Sequence, residues 1–283
     1  MLFHMRSTYG GTYVWTNGVL EKVDGKVSDA IQSLVYPYWH PSGDYVAFST
    51  NQTKQMFHMK DKNRIEVFDM SSDVLVYDVK NHRVVTDSLL FSKQAFETFP
   101  SFSPDGKTLY FSSSVAQKMP IDYKKVKYNI CSISFDAETG RFGTQVDTLF
   151  SVEQTVKTGT FPRVSPDGKF LAFTEADYGN FTIWHKEADL CLIDLKTKEI
   201  KSLDALNSLE AESYHAWSSN GRWLVFASRR DDGLYSRPYI AYIDEEGTAH
   251  KAFVVPQASP DAYWNGLKSY NVPEFITGPV NLQ

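Results

Sequence analysis

Cysteine is scarce in this chain, and neither sign of charge dominates. Only Cys131 and Cys191 occur in 283 residues, which is too few for a disulfide framework or a zinc site of paired Cys-x-x-Cys motifs. Lysine and arginine number 29 against 34 aspartates and glutamates, and no basic stretch is long enough to neutralise a run of phosphates. The sequence therefore argues against nucleic acid as a partner, and we expect both cysteines to be small buried core residues.

Long apolar runs are also missing. No segment approaches the roughly 18 apolar residues that a membrane-spanning helix needs. The first eleven residues contain no apolar segment typical of a secretory signal. We therefore expect a soluble chain without a membrane span, and its 42% of hydrophobic residues is typical of a folded globular protein.

The motifs of several large enzyme classes are absent as well. The sequence contains no Gly-x-Ser-x-Gly nucleophile elbow, no His-Glu-x-x-His zinc motif and no glycine-rich phosphate-binding loop of the two common types. These absences favour a non-enzymatic protein that uses no cofactor.

The sequence does contain a repeat. Its copies align without gaps at residues 36–48, 99–111, 161–173 and 214–226. Each copy reads Ser-Pro-Asp-Gly or a close variant, in which proline presets φ and glycine accepts a positive φ. Apolar residues alternate after each glycine, so the repeat predicts a β-hairpin with a tight turn.

A second unit follows in each copy, at residues 74–78, 132–136, 190–194 and 240–244, and it ends in an aspartate before a polar turn. The two units together predict four antiparallel strands per repeat. Repeats of this kind indicate an all-β protein, a β-propeller in which each repeat forms one blade. We expect about five blades in a single domain spanning 1–283. Their approximate bounds are 1–34, 35–95, 96–157, 158–211 and 212–256.

The first expected blade departs from the repeat. Leu2–Arg6, Gly11–Thr16 and Val19–Val23 read as three strands, so this blade lacks one strand. Two explanations stay open. Either the sequence is a fragment of a longer chain, or the tail 257–283 completes the ring with a strand over Glu274–Gly278.

The pattern Pro-x-apolar-Ser-Pro-Asp-Gly followed by an apolar strand ending in aspartate resembles the TolB-like, WD-related propeller repeat, over about residues 36–256. The segment Ser228–Pro238 further resembles TolB-like envelope proteins of Bacteroidetes-type bacteria. Proteins with this repeat are commonly six-bladed and serve as interaction platforms, as lids of prolyl-oligopeptidase-type enzymes, or as enzymes. No segment here is long enough for the hydrolase domain of such an oligopeptidase. The resemblance implies a periplasmic or envelope location, with a signal sequence upstream of Met1.

Loop length indicates where such a protein binds its partner. The Ser-Pro-Asp-Gly turns share one face of a propeller, and the long connections between second and third strands share the other. Variable loops on a rigid scaffold commonly carry recognition. These loops are 51–63, 115–127, 175–186 and 229–237.

The candidate binding residues lie in the first, third and fourth of these loops. The first loop is Met-rich, the third joins carboxylates to aromatic rings, and the fourth is a charge cluster. For the Arg-Arg-Asp-Asp cluster two interpretations stay open, a binding patch or a solvated cluster that pairs internally. The candidates are Met56, Phe57, Glu175, Asp177, Tyr178, Trp184, His185, Arg229, Arg230, Asp231, Asp232 and Tyr235.

Three further candidates border the expected central channel. Tyr38 and Arg163 either line a ligand pocket or fill the channel. His215 stands where the other copies have proline, which favours a structural role. A metal site of His185, His215, Asp177 and Glu175 is conceivable, as in metal-dependent sugar lyases on similar propellers, but we expect no metal.

We therefore expect a non-enzymatic protein-interaction platform that binds another envelope protein through these loops. The alternative is a carbohydrate-binding or carbohydrate-active propeller that uses Glu175, Asp177, Tyr178 and Trp184. An enzyme of that kind needs two carboxylates about 5 to 9.5 Å apart at the channel mouth. A platform needs an exposed apolar and charged patch instead.

Overall fold

The computed structural model describes residues 2–5, 11–16, 19–23, 34–276 and 278. Within them, nineteen strands form five antiparallel sheets, each with its strands paired in chain order. The first sheet contains β1 (Leu2–Met5), β2 (Gly11–Thr16) and β3 (Val19–Lys22). The second contains β4 (Leu34–Trp39), β5 (Tyr45–Phe57), β6 (Ile65–Asp78) and β7 (Arg83–Val85). The third contains β8 (Ala95–Phe102), β9 (Thr108–Val115), β10 (Asn129–Asp136) and β11 (Arg141–Phe150).

The last two sheets are built in the same way. The fourth contains β12 (Thr158–Val164), β13 (Phe170–Ala176), β14 (Asp189–Asp194) and β15 (Ile200–Ser202). The fifth contains β16 (Glu212–Trp217), β17 (Trp223–Ser228), β18 (Arg237–Tyr242) and β19 (Phe253–Val254). The helices in the described residues are α1 (Val152–Thr155), α2 (Asp261–Asn265) and 3₁₀ turns over Tyr123–Lys125 and Thr182–Trp184.

The predicted β-propeller is confirmed. Each copy of the repeat forms one four-stranded sheet, and these sheets stand in a ring. The five expected blades correspond to four complete blades and one three-stranded sheet at the N-terminus. In the segment considered for a ring-closing strand, residues 274–276 form no strand, and Thr277 lies outside the described residues.

Each innermost strand of the four complete blades bends at the aromatic residue that opens the repeat. Tyr36, Phe99, Phe161 and Tyr214 have φ between +51° and +59°. The pairing with the next strand shifts register at the same point in all four blades. Proline follows three of these aromatics, and because proline has no N–H to donate it favours a bulge over a regular ladder.

The bend brings the four aromatic rings together. Ring centroids lie 4.5 Å apart for Tyr36 and Phe99, 5.3 Å for Phe99 and Phe161, and 5.3 Å for Phe161 and Tyr214. We call these four side chains the aromatic column. Each of these aromatic side chains comes from the innermost strand of a different blade. They therefore meet at the central axis of the propeller and fill its centre.

Neighbouring sheets pack through apolar faces. Leu192 of the fourth sheet joins Leu224 and Phe226 of the fifth in one buried cluster. Phe150 and Phe173, from the third and fourth sheets, have ring centroids 4.9 Å apart. Burial of such aromatic side chains contributes on the order of 3 kcal/mol each, which makes the blades a rigid support for their loops.

Two hairpin glycines allow a matched test of blade packing. Gly106 and Gly168 occupy the same repeat position, with φ of +72° and +73°. A Cβ on Gly106 would lie 2.2 Å from Nε2 of the buried His40, whereas a Cβ on Gly168 would meet nothing within 4 Å. We expect Gly168→Ala to cost about 1 kcal/mol of backbone strain. Gly106→Ala should cost about 2 kcal/mol more, because the imidazole must move.

Urea unfolding of the two glycine variants measures this difference. His40 also makes a hydrogen-bond contact of 3.0 Å with the carbonyl oxygen of Gly106, which resists the displacement. Equal losses of stability in both variants would show that His40 moves freely and that the blades are loosely packed at this position.

Candidate functional site

The hairpin of β5 and β6 rises from one face of the ring. Its tip, residues 58–64, lies at the opposite end of β5 from the Ser-Gly turn at 42–43. We call the face that carries the tip the top face, and the face that carries the Ser-Pro-Asp-Gly turns the bottom face. The predicted loop 51–63 is therefore mostly strand. Met56 and Phe57 lie in β5, half-buried and 75% exposed respectively.

Glu66 ties this hairpin to the loop before β14. The Tyr178 hydroxyl donates to Oε2 of Glu66 at 2.7 Å, and Nε2 of His185 lies 3.0 Å from Oε1. All three side chains are buried. Tyr178 and His185, which we expected on a binding surface, therefore lie inside the protein and hold the hairpin in place.

Asp69 is a second buried carboxylate nearby. It accepts hydrogen bonds from the side chains of Asn51, Asn180 and Thr53, each at 2.6 Å. Burial raises the pKa of Asp69 to about 6, against the lowering effect of these hydrogen bonds. Burial and then the Asp69 charge also raise the pKa of Tyr214. Asp69 thus acts electrostatically on Tyr214, a residue of the aromatic column, and its hydrogen bonds join β5 and β6 to the loop before β14.

The two carboxylates predicted in the third loop have separate environments. Asp177 accepts hydrogen bonds from Nζ of Lys157 at 2.7 Å and of Lys62 at 3.2 Å. These hydrogen bonds, Lys157 first, lower the pKa of Asp177 to about 2 despite partial burial. Glu175 is half-buried in β13, where burial raises its pKa. Asp177 is therefore an ionised ion-pair partner and a poor proton donor.

Three residues of the Arg-Arg-Asp-Asp cluster pair internally. Arg230 lies 3.1 Å from Oε1 of Glu212, which is fully buried. Asp231 and Asp232 lie 3.4 Å and 2.9 Å from the guanidinium of Arg237. Of the two interpretations left open by the sequence, internal pairing is the one that these contacts favour.

Arg229 is the exception in this cluster. Its guanidinium lies 5.0 Å from the centre of the Trp184 ring and donates to the carbonyl oxygens of Ile183 and Leu234, at 3.4 Å and 2.8 Å. Among the described residues, no carboxylate forms an ion pair with Arg229, and the buried Nε of Arg229 has no hydrogen-bond partner. Burial lowers the pKa of Arg229, although an arginine stays charged at neutral pH.

A cleft of about 810 Å³ opens beside Arg229 on the top face. Its walls are the tip of the β5–β6 hairpin, the 3₁₀ turn over Thr182–Trp184 and the loop before β18. The cleft is lined by Lys60, Asp61, Lys62, Arg64, Ile65, Trp184, Lys186, Glu210, Arg229, Asp232, Gly233, Leu234 and Tyr235. It thus unites parts of three predicted loops.

Four predicted site residues line the cleft, namely Trp184, Arg229, Asp232 and Tyr235. The charged residues of the hairpin tip and Lys186 were not among the predicted site residues. In the sequence they look like ordinary solvated charges. Residues 51–57 are mostly polar, so the prediction treated the end of β5 and the tip as one loop.

The three channel candidates lie around the aromatic column. The guanidinium of Arg163 lies 5.1 Å from the centre of the Tyr38 ring and 3.9 Å from that of Phe161. His215 is buried with its ring 5.5 Å from Phe161. Burial lowers the pKa of His215 to about 3, so its imidazole is neutral. These contacts favour a channel filled by side chains over a channel that holds a ligand.

Within the described part of the chain, no three His, Cys, Asp or Glu side chains are grouped as a metal site would require. His185 faces Glu66, whereas His215 packs on the aromatic column, so the metal set considered from the sequence is not brought together. No helix in the described residues is long and apolar enough to cross a membrane.

Comparison with known proteins leads to the fold alone. No family model and no curated protein matches this sequence. An oligogalacturonate lyase in complex with manganese is similar in structure, with 13% identity and a TM-score of 0.53 over 88% of this chain and 60% of the lyase. A prolyl endopeptidase has 15% identity and a TM-score of 0.53, over 88% of this chain and 33% of the endopeptidase.

TolB from Acinetobacter baumannii is also among the similar structures, with 14% identity and a TM-score of 0.39, over 87% of this chain and 62% of TolB. This chain therefore spans less than two thirds of each of the three proteins. The fold is a β-propeller. At such identities the similarity shows the propeller and no activity, because propellers with many functions share it.

Proposed function

We propose that this propeller is a non-enzymatic protein-interaction platform of the cell envelope, which binds another envelope protein through its top face. The observation that carries the proposal is the filled axis. The aromatic column fills the centre where the innermost strands of the four blades meet, while a separate cleft stands open on the top face. The cleft therefore offers this protein a site at which a partner can bind.

The environments of the top-face carboxylates support the same proposal. A hydrolase needs one carboxyl group that gives a proton and a second that is free to act as a base or nucleophile. Asp177 is committed to two lysines, while Glu66 and Asp69 are buried and hydrogen-bonded. None of these three carboxylates is available to a substrate.

Exposed apolar side chains near the cleft support a protein as the partner. Phe57 and Met59, beside the hairpin tip, are 75% and 90% exposed, and Leu234 in the cleft is 64% exposed. Apolar side chains exposed together beside charged ones are typical of protein interaction surfaces. The envelope location depends only on the TolB-like character of the repeat.

Carbohydrate is the alternative partner. Trp184 and Tyr235 line the cleft together, and aromatic faces of this kind also stack on sugar rings. In this alternative the same cleft would bind an oligosaccharide, and the exposed apolar residues of the hairpin would have no role.

A pull-down from envelope extract of the source organism tests the proposal. The top-face variant carries Phe57→Ser and Leu234→Ser, and the control carries Phe253→Ser, an exposed phenylalanine on the outermost strand of the fifth sheet. We expect one defined protein to be retained by the wild type and by the control, and lost from the top-face variant. Retention by all three proteins would move the partner site away from the top face. Cleavage of an added envelope oligosaccharide would overturn the non-enzymatic proposal.

A further inference from the structure

The charges in the cleft are unbalanced. Five basic and three acidic residues line it, although the chain as a whole has a net charge of -5. The cleft is therefore a basic site on an acidic protein, and a field of this kind attracts negative groups to one place on the surface.

All three acidic residues of the cleft are already paired. Asp61 lies 2.8 Å from Nζ of Lys124, and Asp232 lies 2.9 Å from the guanidinium of Arg237. Glu210 pairs with Lys186 in the cleft wall. These carboxylates are neutralised by cations of the protein itself, so none of them repels an incoming anion strongly.

Three of the five basic residues have no carboxylate partner among the described residues. Lys62 is paired with Asp177 and Glu187, and Lys186 with Glu210. The three that remain are Lys60, Arg64 and Arg229. Lys60 and Arg64 are exposed on the hairpin tip, and within the described part of the chain the Arg64 side chain donates one hydrogen bond, to the backbone carbonyl of Met59.

Arg229 is the best prepared of these three cations. It is half-buried, it is held against Trp184, and its Nε is buried without a hydrogen-bond partner. A guanidinium held in this way presents N–H groups in a fixed plane that suits a carboxylate.

The apolar wall of the cleft decides between two acidic ligands. An acidic oligosaccharide would pair with the cations and stack on Trp184, but it would leave Leu234 and Ile65 against polar hydroxyl groups. A peptide with an apolar side chain between acidic ones matches both parts of the cleft. A volume of about 810 Å³ is enough for several side chains.

We therefore propose that the cleft binds an acidic peptide segment of the partner protein. Carboxylates of the segment lie against Lys60, Arg64 and Arg229, and an apolar side chain between them packs on Trp184 and Leu234. This inference rests on the proposed function, since it names the chemistry of the partner at the same site.

Selection from a phage-displayed library of random dodecapeptides tests the inference. We expect the full-length protein to enrich sequences with aspartates and glutamates around an apolar residue. A synthetic peptide of the enriched sequence should then bind at least about tenfold more weakly to Lys60→Gln/Arg64→Gln, and to Arg229→Gln. Its affinity for the wild type should fall as salt is raised.

The controls separate this inference from the proposed function. Lys107→Gln/Lys169→Gln removes two exposed lysines beside the bottom-face turns and should bind the peptide like the wild type. Thermal unfolding must show that Arg229→Gln is folded. Neutral or basic peptides that bind the top face would overturn the inference and leave the proposed function standing. Failure to select any peptide, together with binding of an acidic oligosaccharide that Arg229→Gln loses, would overturn both.

Discussion

Glu212→Ala will destabilise this protein by about 3 to 5 kcal/mol, even though Glu212 lies outside the cleft. The side chain is fully buried and accepts hydrogen bonds from Ser208 and Ser228 in addition to Arg230. Removing the carboxylate leaves the guanidinium of Arg230 without its ion-pair partner, and it takes the acceptor from the Ser228 hydroxyl and from the backbone N–H of Ser208. Equilibrium unfolding in urea measures the loss of stability.

The matched control for this change is Glu210→Ala, two residues earlier. Its ion pair with Lys186 is partly exposed, with 20% and 49% of the two side chains accessible. Solvent screens such a pair, so we expect a loss below about 1 kcal/mol. If both alanine variants lost the same stability, the Glu212 network would contribute nothing beyond an ordinary surface pair.

The ion pair of the buried Glu212 with Arg230 limits which residues of the Arg-Arg-Asp-Asp cluster can be replaced without weakening the fold. A variant with all four residues of the Arg-Arg-Asp-Asp cluster replaced would break the Arg230–Glu212 pair and the ion pairs of Arg237 with Asp231 and Asp232. It would lose binding because its fold is weakened. Of the four residues in this cluster, only Arg229 can be changed without removing one of these ion pairs.

Glu97→Gln will remove a large dependence of stability on pH. Glu97 is 2% exposed, its Oε1 is 3.4 Å from the Ser113 hydroxyl, and its Oε2 has no hydrogen-bond partner in the described part of the chain. Burial, and then the charge of Asp73, raises the pKa of Glu97 from 4.5 to about 8. A glutamine has nearly the shape of the protonated acid, so it should fit the same site.

The sign of this effect follows from the bound proton. Between about pH 4.5 and pH 8 the folded state keeps the proton on Glu97 while the unfolded state has lost it. The stabilising contribution is therefore complete at low pH, and it is lost as the pH rises through this window. We expect the stability of Glu97→Gln relative to the wild type to rise by about 3 to 4 kcal/mol between pH 5 and pH 8.

Urea unfolding at several pH values, run on both proteins, measures this difference. Titrating groups that do not interact with Glu97 cancel when the two curves are subtracted, whereas Asp73 does interact with Glu97 and contributes to the difference. Glu138→Gln, a change at an exposed position, is the control and should follow the wild type at every pH. A constant difference between Glu97→Gln and the wild type would show that Glu97 is ionised in the folded protein.

The fold could be predicted because its signals are local. The turn residues around Gly43, Gly106, Gly168 and Gly221 lie next to the strands that they connect, and each strand carries its own alternation. Four copies of one pattern then predict the same blade four times. The aromatic column was missed, although its residues stand at the first position of every copy. Simple alternation says nothing about a positive φ, and the bulge turns the side chain away from the direction that alternation implies.

Only the tertiary structure decided which side chains are available to bind. In the sequence, Tyr178 and His185 look like surface residues of a loop. In the structure both are buried against Glu66, their hydrogen-bond partner, which lies 112 and 119 positions away in the chain. The same holds for the cleft, whose walls come from the hairpin tip, the 3₁₀ turn and the loop before β18.

The sequence by itself determined the blades, the turns between them and the face that carries the long loops. Whether a charged residue such as Arg229 or Arg230 is free or paired depends on which loops meet across the ring. The contacts between these loops depend on packing between residues far apart in the chain, so no local sequence pattern predicts them.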